Sequence, residues 1–186
     1  TPADLGVYKD VPLQIEGGFE TRAGVFSSDG VDPASKLLAQ LIPRNIKGVG
    51  ADLGGGWGYL SIKALEINSI KELHFVEADF TALHVAKNNL NDQRVKFYWY
   101  DALKWEAPKL LDFIIMNPPF HHLGRAMPSL GVDFVKVASR NLKKSGTLWM
   151  VANRHLPYED AIRRHFSSFS ELSGSKKFKV MQAKNP

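Results

Sequence analysis

The chain contains no cysteine, which excludes a disulfide framework and a thiolate metal site. It also has no apolar run that approaches the roughly 18 residues needed for a membrane span. The N-terminus, Thr1 to Asp4, lacks the basic and then apolar pattern of a secretory signal. We therefore expect a cytoplasmic protein that does not associate with a membrane. Because the first residue is not methionine, we also expect the chain to be processed or cut from a longer protein.

Acidic residues are in the minority, since 19 Asp and Glu face 24 Lys and Arg, and the sequence pI is near 9.4. This balance favours a polyanionic partner such as nucleic acid, although a solvated basic surface explains it equally well. With 186 residues, 44% of them hydrophobic, the chain is long enough for one domain with a buried core. We predict an irregular or β-rich extension over residues 1–30 and a single domain over 31–186.

Buried-strand and amphipathic-helix patterns alternate from residue 31 onward. Asp32-Pro33 predicts the N-cap and first residue of a helix. Predicted strands cover 49–53, 73–77, 95–100, 111–116, 147–152 and 177–182, with helices over 59–67, 78–91, 130–142 and 158–166 between them. Gly146 is predicted to end the 130–142 helix. This alternation predicts a Rossmann-like α/β fold, with a mostly parallel sheet and helices on both faces.

A glycine-rich turn from Asp52 to Gly58 follows the first of these strands. Gly54, Gly56 and Gly58 permit a sharp turn and a close approach of the backbone to a ligand. Their G-x-G-x-G spacing differs from the G-x-G-x-x-G of dinucleotide sites, and no Lys-Ser/Thr pair of a P-loop follows. Asp52 suits a cationic ligand such as S-adenosylmethionine, which carries an ammonium and a sulfonium. A strand-to-helix turn without a ligand is the alternative.

Acidic residues also stand at the ends of the second and third predicted strands. Glu77, followed by Ala78, is predicted to accept hydrogen bonds from both ribose hydroxyls of a nucleotide-like cofactor. Asp101 and Ala102 are predicted to meet an adenine edge. The alternatives are a solvated strand-end charge at Glu77 and a loop or N-cap aspartate at Asp101.

The segment Asn117-Pro118-Pro119-Phe120 directly follows the fourth predicted strand. Two prolines stiffen the turn and leave its carbonyls free as acceptors, and Asn117 adds a side-chain carbonyl. Together these groups can accept both hydrogens of an amine and aim its lone pair at a methyl group, which is catalysis by positioning and electrostatics. Phe120 is expected to stack on a base. The motif predicts Asn117, Pro118 and Phe120 as catalytic residues, and a purely structural turn is the alternative.

The sequence predicts neither a metal site nor a nucleophilic triad. The adjacent side chains of His121 and His122 diverge, and no further ligands stand nearby in the sequence. The serine, histidine and aspartate residues form no recognisable triad pattern.

These motifs, in this order, resemble those of class I S-adenosylmethionine-dependent methyltransferases. More narrowly, the chain resembles the catalytic domain of bacterial ribosomal RNA small-subunit guanine-N2 methyltransferases. The narrower resemblance is carried by residues 24–38, by 151–158 on the fifth predicted strand and by 178–180 on the last. The resemblance, which runs over residues 24–183, implies S-adenosylmethionine as cofactor and a seven-stranded sheet whose last strand is antiparallel. It also implies that Phe26 and Asp32 help to wall the cofactor pocket.

The resemblance implies guanine N2 in ribosomal RNA as the target, with free RNA or the small ribosomal subunit as partner, and we expect a monomer. Full-length members carry an additional N-terminal domain, so we expect either their catalytic half or a stand-alone relative. Gly55 replaces the usual cysteine and adds flexibility, whereas Trp57 replaces the commoner tyrosine and is bulkier at the pocket mouth.

Three other functions stay open or disfavoured at this point. A methyltransferase for adenine N6 or for a protein glutamine amide would use a similar Asn-Pro-Pro-aromatic turn. An inactive RNA-binding module of the same fold is a second possibility, although intact Asp52, Glu77 and Asn117 argue against it. The glycine spacing disfavours a dinucleotide oxidoreductase.

Overall fold

A seven-stranded sheet lies at the centre of the computed structural model, which describes residues 12–119, 121–122 and 125–186. The strands are β1 (Leu13–Ile15), β2 (Phe19–Thr21), β3 (Gly48–Leu53), β4 (Ile70–Glu77), β5 (Val95–Trp99), β6 (Leu111–Met116), β7 (His121–His122), β8 (Arg125–Ala126), β9 (Leu142–Asn153), β10 (Ser168–Gly174) and β11 (Phe178–Lys184). The helices are α1 (Pro33–Leu41), α2 (Tyr59–Leu65), α3 (Phe80–Asn89), α4 (Pro128–Asn141) and α5 (Glu159–His165). No helix in these ranges is both long and apolar enough to cross a membrane.

The strand order in the sheet is β10-β11-β9-β6-β3-β4-β5. The last strand, β11, runs antiparallel to both of its neighbours, β9 and β10, whereas β9, β6, β3, β4 and β5 pair in parallel. The predicted fold class is therefore confirmed: a Rossmann-like α/β fold with seven mostly parallel strands and an antiparallel last strand.

Both faces of the sheet carry a hydrophobic core, as strand β6 illustrates. Its buried side chains alternate, so that Ile114 and Met116 belong to the core shared with α4 and α5. Phe113 and Ile115 belong to the opposite core, shared with α1, α2 and α3. A strand buried on both faces reads as a continuous apolar run, which is why its predicted bounds of 111–116 agree with the structure.

The order in which the chain adds parallel strands to the sheet reverses at β3, in the centre of the sheet. From β3 it proceeds to β4 and β5 on one side, whereas β6 and β9 lie on the other side of β3. The carboxyl ends of β3 and β6 therefore flank a crevice, which is the position where open α/β sheets bind ligands. The glycine-rich turn and the Asn-Pro-Pro turn both begin at this crevice.

The short hairpin formed by β1 and β2 packs against helix α3. The side chain of Asn89 in α3 accepts the backbone N–H of Glu20 at 2.8 Å and donates to the Glu20 carbonyl at 2.8 Å. The same amide donates to the backbone carbonyl of Trp57 at 3.0 Å. One side chain thus joins the hairpin to the glycine-rich turn.

Two features differ from the local predictions. Strand β10 was not predicted, because nearly all of its side chains are exposed at the sheet edge and only Phe169 is half-buried. The prediction that Gly146 ends the preceding helix was wrong, since α4 ends at Asn141 and β9 begins at once. Ser145 carries the positive φ of 61°, while Gly146 is needed for space, because a Cβ there would lie 2.8 Å from the Lys143 carbonyl oxygen.

Candidate cofactor and substrate site

The glycine-rich turn links β3 to α2 through three left-handed residues. Gly54, Gly56 and Gly58 have φ values of 71°, 59° and 101°, a region that side chains with a Cβ rarely adopt. A Cβ on Gly58 would lie 2.9 Å from the Leu90 side chain, whereas a Cβ on Gly56 would meet no atom within 4 Å. The turn therefore exposes bare backbone to open space at Gly56, where a ligand can approach closely.

Packing explains both Gly55 and Trp57, the two residues that depart from the pattern that the sequence resembles. A Cβ on Gly55 would lie 2.2 Å from the ring of Phe75, so the glycine accommodates a large core residue under the turn. Trp57 is buried, and its ring lies 5.5 Å from that of Phe19 and 5.7 Å from that of Tyr59. The tryptophan therefore fixes the turn against the N-terminal hairpin while it lines the cavity described below.

Asp52 lies behind the turn and is fully buried. Its Oδ2 accepts a hydrogen bond from the Ser61 hydroxyl at 2.7 Å, whereas Oδ1 has no partner among the described residues. Burial, opposed by the Ser61 hydrogen bond and assisted by the negative charge of Glu77, raises its pKa from 3.8 to about 7. The carboxyl group does not line the cavity, so any effect on a cationic ligand acts from beneath the turn.

Glu77 holds the other side of the turn from the end of β4. Its Oε2 accepts the backbone N–H of Gly56 and its Oε1 that of Asp79, each at 2.8 Å. Burial raises the pKa of this carboxyl group, and the hydrogen bonds from the backbone oppose the rise. A predicted cofactor residue is thus bonded to the backbone at the open position of the glycine-rich turn.

The next two predicted residues, Asp101 and Ala102, lie in the loop after β5. The Asp101 side chain is exposed and accepts the backbone N–H of Leu103 at 2.9 Å, so it stabilises its own loop. The Ala102 side chain is buried in the core under α4 and α5. Ala78 is exposed, and its carbonyl accepts the indole N–H of Trp99 at 3.0 Å.

Asn117 lies after β6 and is bonded to the first turn of α1. Its Nδ2 donates to Asp32 Oδ2 at 3.0 Å and to Ser35 Oγ at 2.9 Å. Asp32 is also the N-cap of α1, because the same Oδ2 accepts the Ser35 backbone N–H at 2.7 Å. Pro118 is buried beside this contact, and Phe120 lies outside the described residues.

Two adjoining cavities share Phe26, Asp32 and Asn117 as a common wall. The first is bounded by the glycine-rich turn, and the second, which is the larger of the two, by the end of β9 and the start of β11. The first is further lined by Ser27, Ser35, Gly54, Gly55, Gly56, Trp57, Tyr59 and Leu60. The second is further lined by Ala34, Pro118, Ala152, Asn153, Leu156 and Phe178.

The structure thus brings Phe26, Asp32, the glycine-rich turn, Asn117 and Pro118 together, with Glu77 bonded to the turn. Sequence reasoning missed Ser35 and Tyr59, whose signals were only their positions next to motif residues. One side of the second cavity is lined by residues of the segments 151–158 and 178–180, which carried the narrower resemblance without a stated role: Ala152, Asn153, Leu156 and Phe178. Within the described residues, no group of three or more His, Asp or Glu could hold a metal ion.

Comparison with known proteins agrees with this geometry. The chain is 31% identical over 194 residues to the ribosomal RNA large subunit methyltransferase G of Yersinia enterocolitica, covering 97% of this chain and 49% of that protein. It is 34% identical over 159 residues to the ribosomal RNA small subunit methyltransferase C of Shewanella pealeana, covering 84% and 46%. A T. thermophilus 16S rRNA N2 methyltransferase, solved with AdoMet and guanosine, matches with a TM-score of 0.74 and 30% identity, over 95% of this chain and 50% of that chain.

The chain spans about half the length of these curated relatives. The family model of the methyltransferase small domain matches residues 16–182, a range that includes both cavities and nearly every element of the sheet. With this match, the strand order and the residues at the crevice, the chain belongs to the methyltransferase small domain family.

Proposed function

We propose that this chain transfers a methyl group from S-adenosylmethionine to the exocyclic N2 amine of a guanine in ribosomal RNA of the small subunit. The observation that carries the proposal is the position of Asn117, which lines both cavities where they adjoin. A residue in that position can hold a target amine beside a methyl donor. Similarity to ribosomal RNA methyltransferases, one of them solved with AdoMet and guanosine, supports this substrate class.

The residues around the first cavity fit S-adenosylmethionine. Gly56 leaves open space at the turn, Glu77 offers a carboxylate for ribose hydroxyls, and Asp52 carries a buried carboxylate oxygen without a partner in the described structure. Asp32, which lines the cavity, and Asp52, which acts from beneath the turn, favour a cofactor that carries an ammonium and a sulfonium. When bound, it supplies an electrophilic methyl group. We assign the adenine edge to the loop of Asp101 and Ala102 and to Ala78.

The second cavity would receive the target base. Apolar walls from Phe26, Leu156 and Phe178 suit a planar ring, and the oxygen of Asn117 can accept one hydrogen of its exocyclic amine. The carbonyl of Pro118 is a candidate acceptor for the second hydrogen, which would place the amine lone pair toward the methyl group. Once methylated, the amine loses its proton readily to water, so no strong base is required of the chain.

Phe120 is the third proposed catalytic residue, beside Asn117 and Pro118, and we propose that its ring stacks on the target base. A base in folded RNA must leave its stack to reach the cavity. Exposed cations late in the chain, Arg163, Arg164, Lys176 and Lys177, are available to contact phosphates. We further propose that residues 31–186 form the catalytic domain and that residues 1–30 form an extension that positions Phe26. The chain is proposed to act as a monomer, in the cytoplasm where ribosomal RNA is made.

The test uses radiolabelled S-adenosylmethionine with ribosomal RNA and with assembled subunits from a strain that lacks the methylation, followed by nucleoside analysis. We expect label in N2-methylguanosine of small-subunit RNA with the wild-type chain and at least 10-fold slower labelling with Asn117→Ala. Label in N6-methyladenosine, or in a protein amide, would overturn the guanine assignment and keep the mechanism. Cofactor binding without transfer to any of these substrates would favour an inactive RNA-binding module.

A second candidate substrate is large-subunit RNA. It is favoured by the 31% identity to a large subunit methyltransferase over 97% of this chain. Separate assays with 16S and 23S RNA distinguish the two, because the label then appears in only one of them.

A further inference from the structure

We propose that Asp32 and Ser35 are positioning residues that hold the Asn117 amide with only its oxygen available, so that the site selects groups able to donate a hydrogen bond. This inference rests on the proposed function, because it explains how that site recognises an amine. It gives Asp32 and Ser35 a role beyond lining the cofactor pocket.

The hydrogen bonds around Asn117 determine the orientation of its amide. An asparagine side chain has two N–H donors on Nδ2 and acceptor capacity on Oδ1. Both donors are in use, one toward Asp32 Oδ2 at 3.0 Å and one toward Ser35 Oγ at 2.9 Å. An ionised carboxylate can only accept, so a flipped amide would place Oδ1 against the negative charge of Asp32. The amide therefore offers the cavities its oxygen and no N–H.

The two positioning groups are themselves held by the start of α1. Asp32 Oδ2 accepts the Ser35 backbone N–H at 2.7 Å, which is the N-cap bond of the helix. Ser35 is buried, with 7% of its surface exposed, and Pro33 fixes φ at the first helical position. The helix N-terminus thus keeps the carboxylate and the hydroxyl in place before any ligand arrives.

This arrangement has a consequence for the choice of nucleophile. An exocyclic amine donates a hydrogen to Asn117 Oδ1 and keeps its lone pair for the methyl group. A ring nitrogen that carries only a lone pair would face the same oxygen without a hydrogen bond, which is unfavourable when both are desolvated. The orientation of one amide therefore discriminates between amines and those ring nitrogens of the same bases that carry no hydrogen, such as N3 and N7 of guanine.

A kinetic double-mutant cycle tests the positioning role. The variants are Ser35→Ala, which removes one bond to Asn117, and Asp32→Ser, which keeps a good N-cap residue but shortens the side chain. At saturating cofactor we expect kcat for RNA methylation to fall about 5-fold with Ser35→Ala and about 10- to 100-fold with Asp32→Ser. In an Asn117→Ala background the same two changes should alter the residual rate less than about 2-fold, because the group they position is gone.

Lys36→Ala is the matched control, since Lys36 is an exposed residue of the same helix turn and lines neither cavity. It should leave kcat unchanged in both backgrounds. If Asp32→Ser and Ser35→Ala lower the residual rate of Asn117→Ala by the same factors as in wild type, they act through folding or through the cofactor, and the positioning role is wrong.

An NMR measurement decides the same question without activity. The side-chain NH₂ signals of Asn117, assigned by their loss in Asn117→Ala, should exchange slowly with water in the wild-type chain and faster in the Asp32→Ser/Ser35→Ala variant. Unchanged signals in that variant would overturn the inference. If the wild-type chain binds cofactor and methylates no RNA, the proposed function fails and these signals alone decide the role of Asp32 and Ser35.

Discussion

Replacing Asp52 by asparagine should change the pH dependence of folding stability in a specific direction. Asp52 is fully buried, and its pKa rises from 3.8 to about 7 in the folded chain. A carboxyl group with a raised folded-state pKa is protonated at low pH, so its burial costs little there. As the pH rises from 3.8 toward 7, the unfolded state loses this proton first, and the folded state is destabilised.

The size of this effect follows from the two pKa values. One pKa unit corresponds to about 1.36 kcal/mol, so the two values give a destabilisation of roughly 1.5 kcal/mol at pH 5 and about 4 kcal/mol at pH 8. The asparagine side chain of the Asp52→Asn variant does not titrate and keeps an oxygen for the Ser61 hydroxyl. Its buried NH₂ group lacks a partner, which costs roughly 1–3 kcal/mol at every pH. The stability of Asp52→Asn relative to wild type should therefore increase by about 2.5 kcal/mol between pH 5 and pH 8.

Urea unfolding followed by tryptophan fluorescence measures this difference, because the chain has four tryptophans. Asp133→Asn is the control for the substitution itself, since the Asp133 side chain is 46% exposed in a surface pair with Lys136. A relative stability of Asp52→Asn that stays constant within about 0.5 kcal/mol from pH 5 to pH 8 would refute the reasoning.

Three further predictions concern the site and its support. Asn117→Ala should lower kcat at least 10-fold with little change in cofactor affinity, whereas Glu77→Ala should weaken cofactor binding with little change in kcat. Calorimetry measures the affinities and initial rates measure kcat, and equal effects of the two variants on cofactor binding would contradict the assigned roles. Gly55→Ala should destabilise the fold by roughly 1–3 kcal/mol in thermal or urea unfolding, because its Cβ would meet the Phe75 ring at 2.2 Å. The double variant Gly55→Ala/Phe75→Leu should recover part of that loss, and an unchanged unfolding midpoint in Gly55→Ala would be inconsistent with the packing. Lys179→Met should lower the free energy of unfolding by about 1–3 kcal/mol, because the half-buried Glu159 carboxylate and the Leu156 carbonyl lose the ammonium that donates to both. An unchanged free energy of unfolding would show that water replaces the pair.

The parts of the fold that the sequence could predict are those with a strong local cause. Asp32 and Pro33 predicted the start of α1 because a side-chain cap and a fixed φ act within one turn. The continuous apolar run of β6 predicted its bounds because both faces of the strand are buried. The glycine-rich turn was recognised because three left-handed positions require glycine almost regardless of context.

The parts that the sequence could not predict depend on distant contacts. Strand β10 has exposed, polar side chains, and only its pairing with β11 makes it a strand. Ser35 looked like an ordinary residue in a helix, and its hydroxyl has a role only because β6 brings Asn117 next to it. For Asp101 the sequence left a cofactor residue and a loop aspartate as alternatives, and the hydrogen bond from Leu103 in its own loop is visible only in three dimensions. Long-range pairing of this kind leaves no periodic signal in the sequence.

The wall that the two cavities share has a thermodynamic consequence. Phe26, Asp32 and Asn117 face both spaces, so a molecule bound in one space contacts residues that also bind the other. Any adjustment of these side chains by the first ligand changes the affinity for the second, and the coupling is reciprocal by necessity. We therefore expect the methyl donor and the acceptor to change each other's binding affinity. If the donor tightens acceptor binding by some factor, the acceptor must tighten donor binding by the same factor.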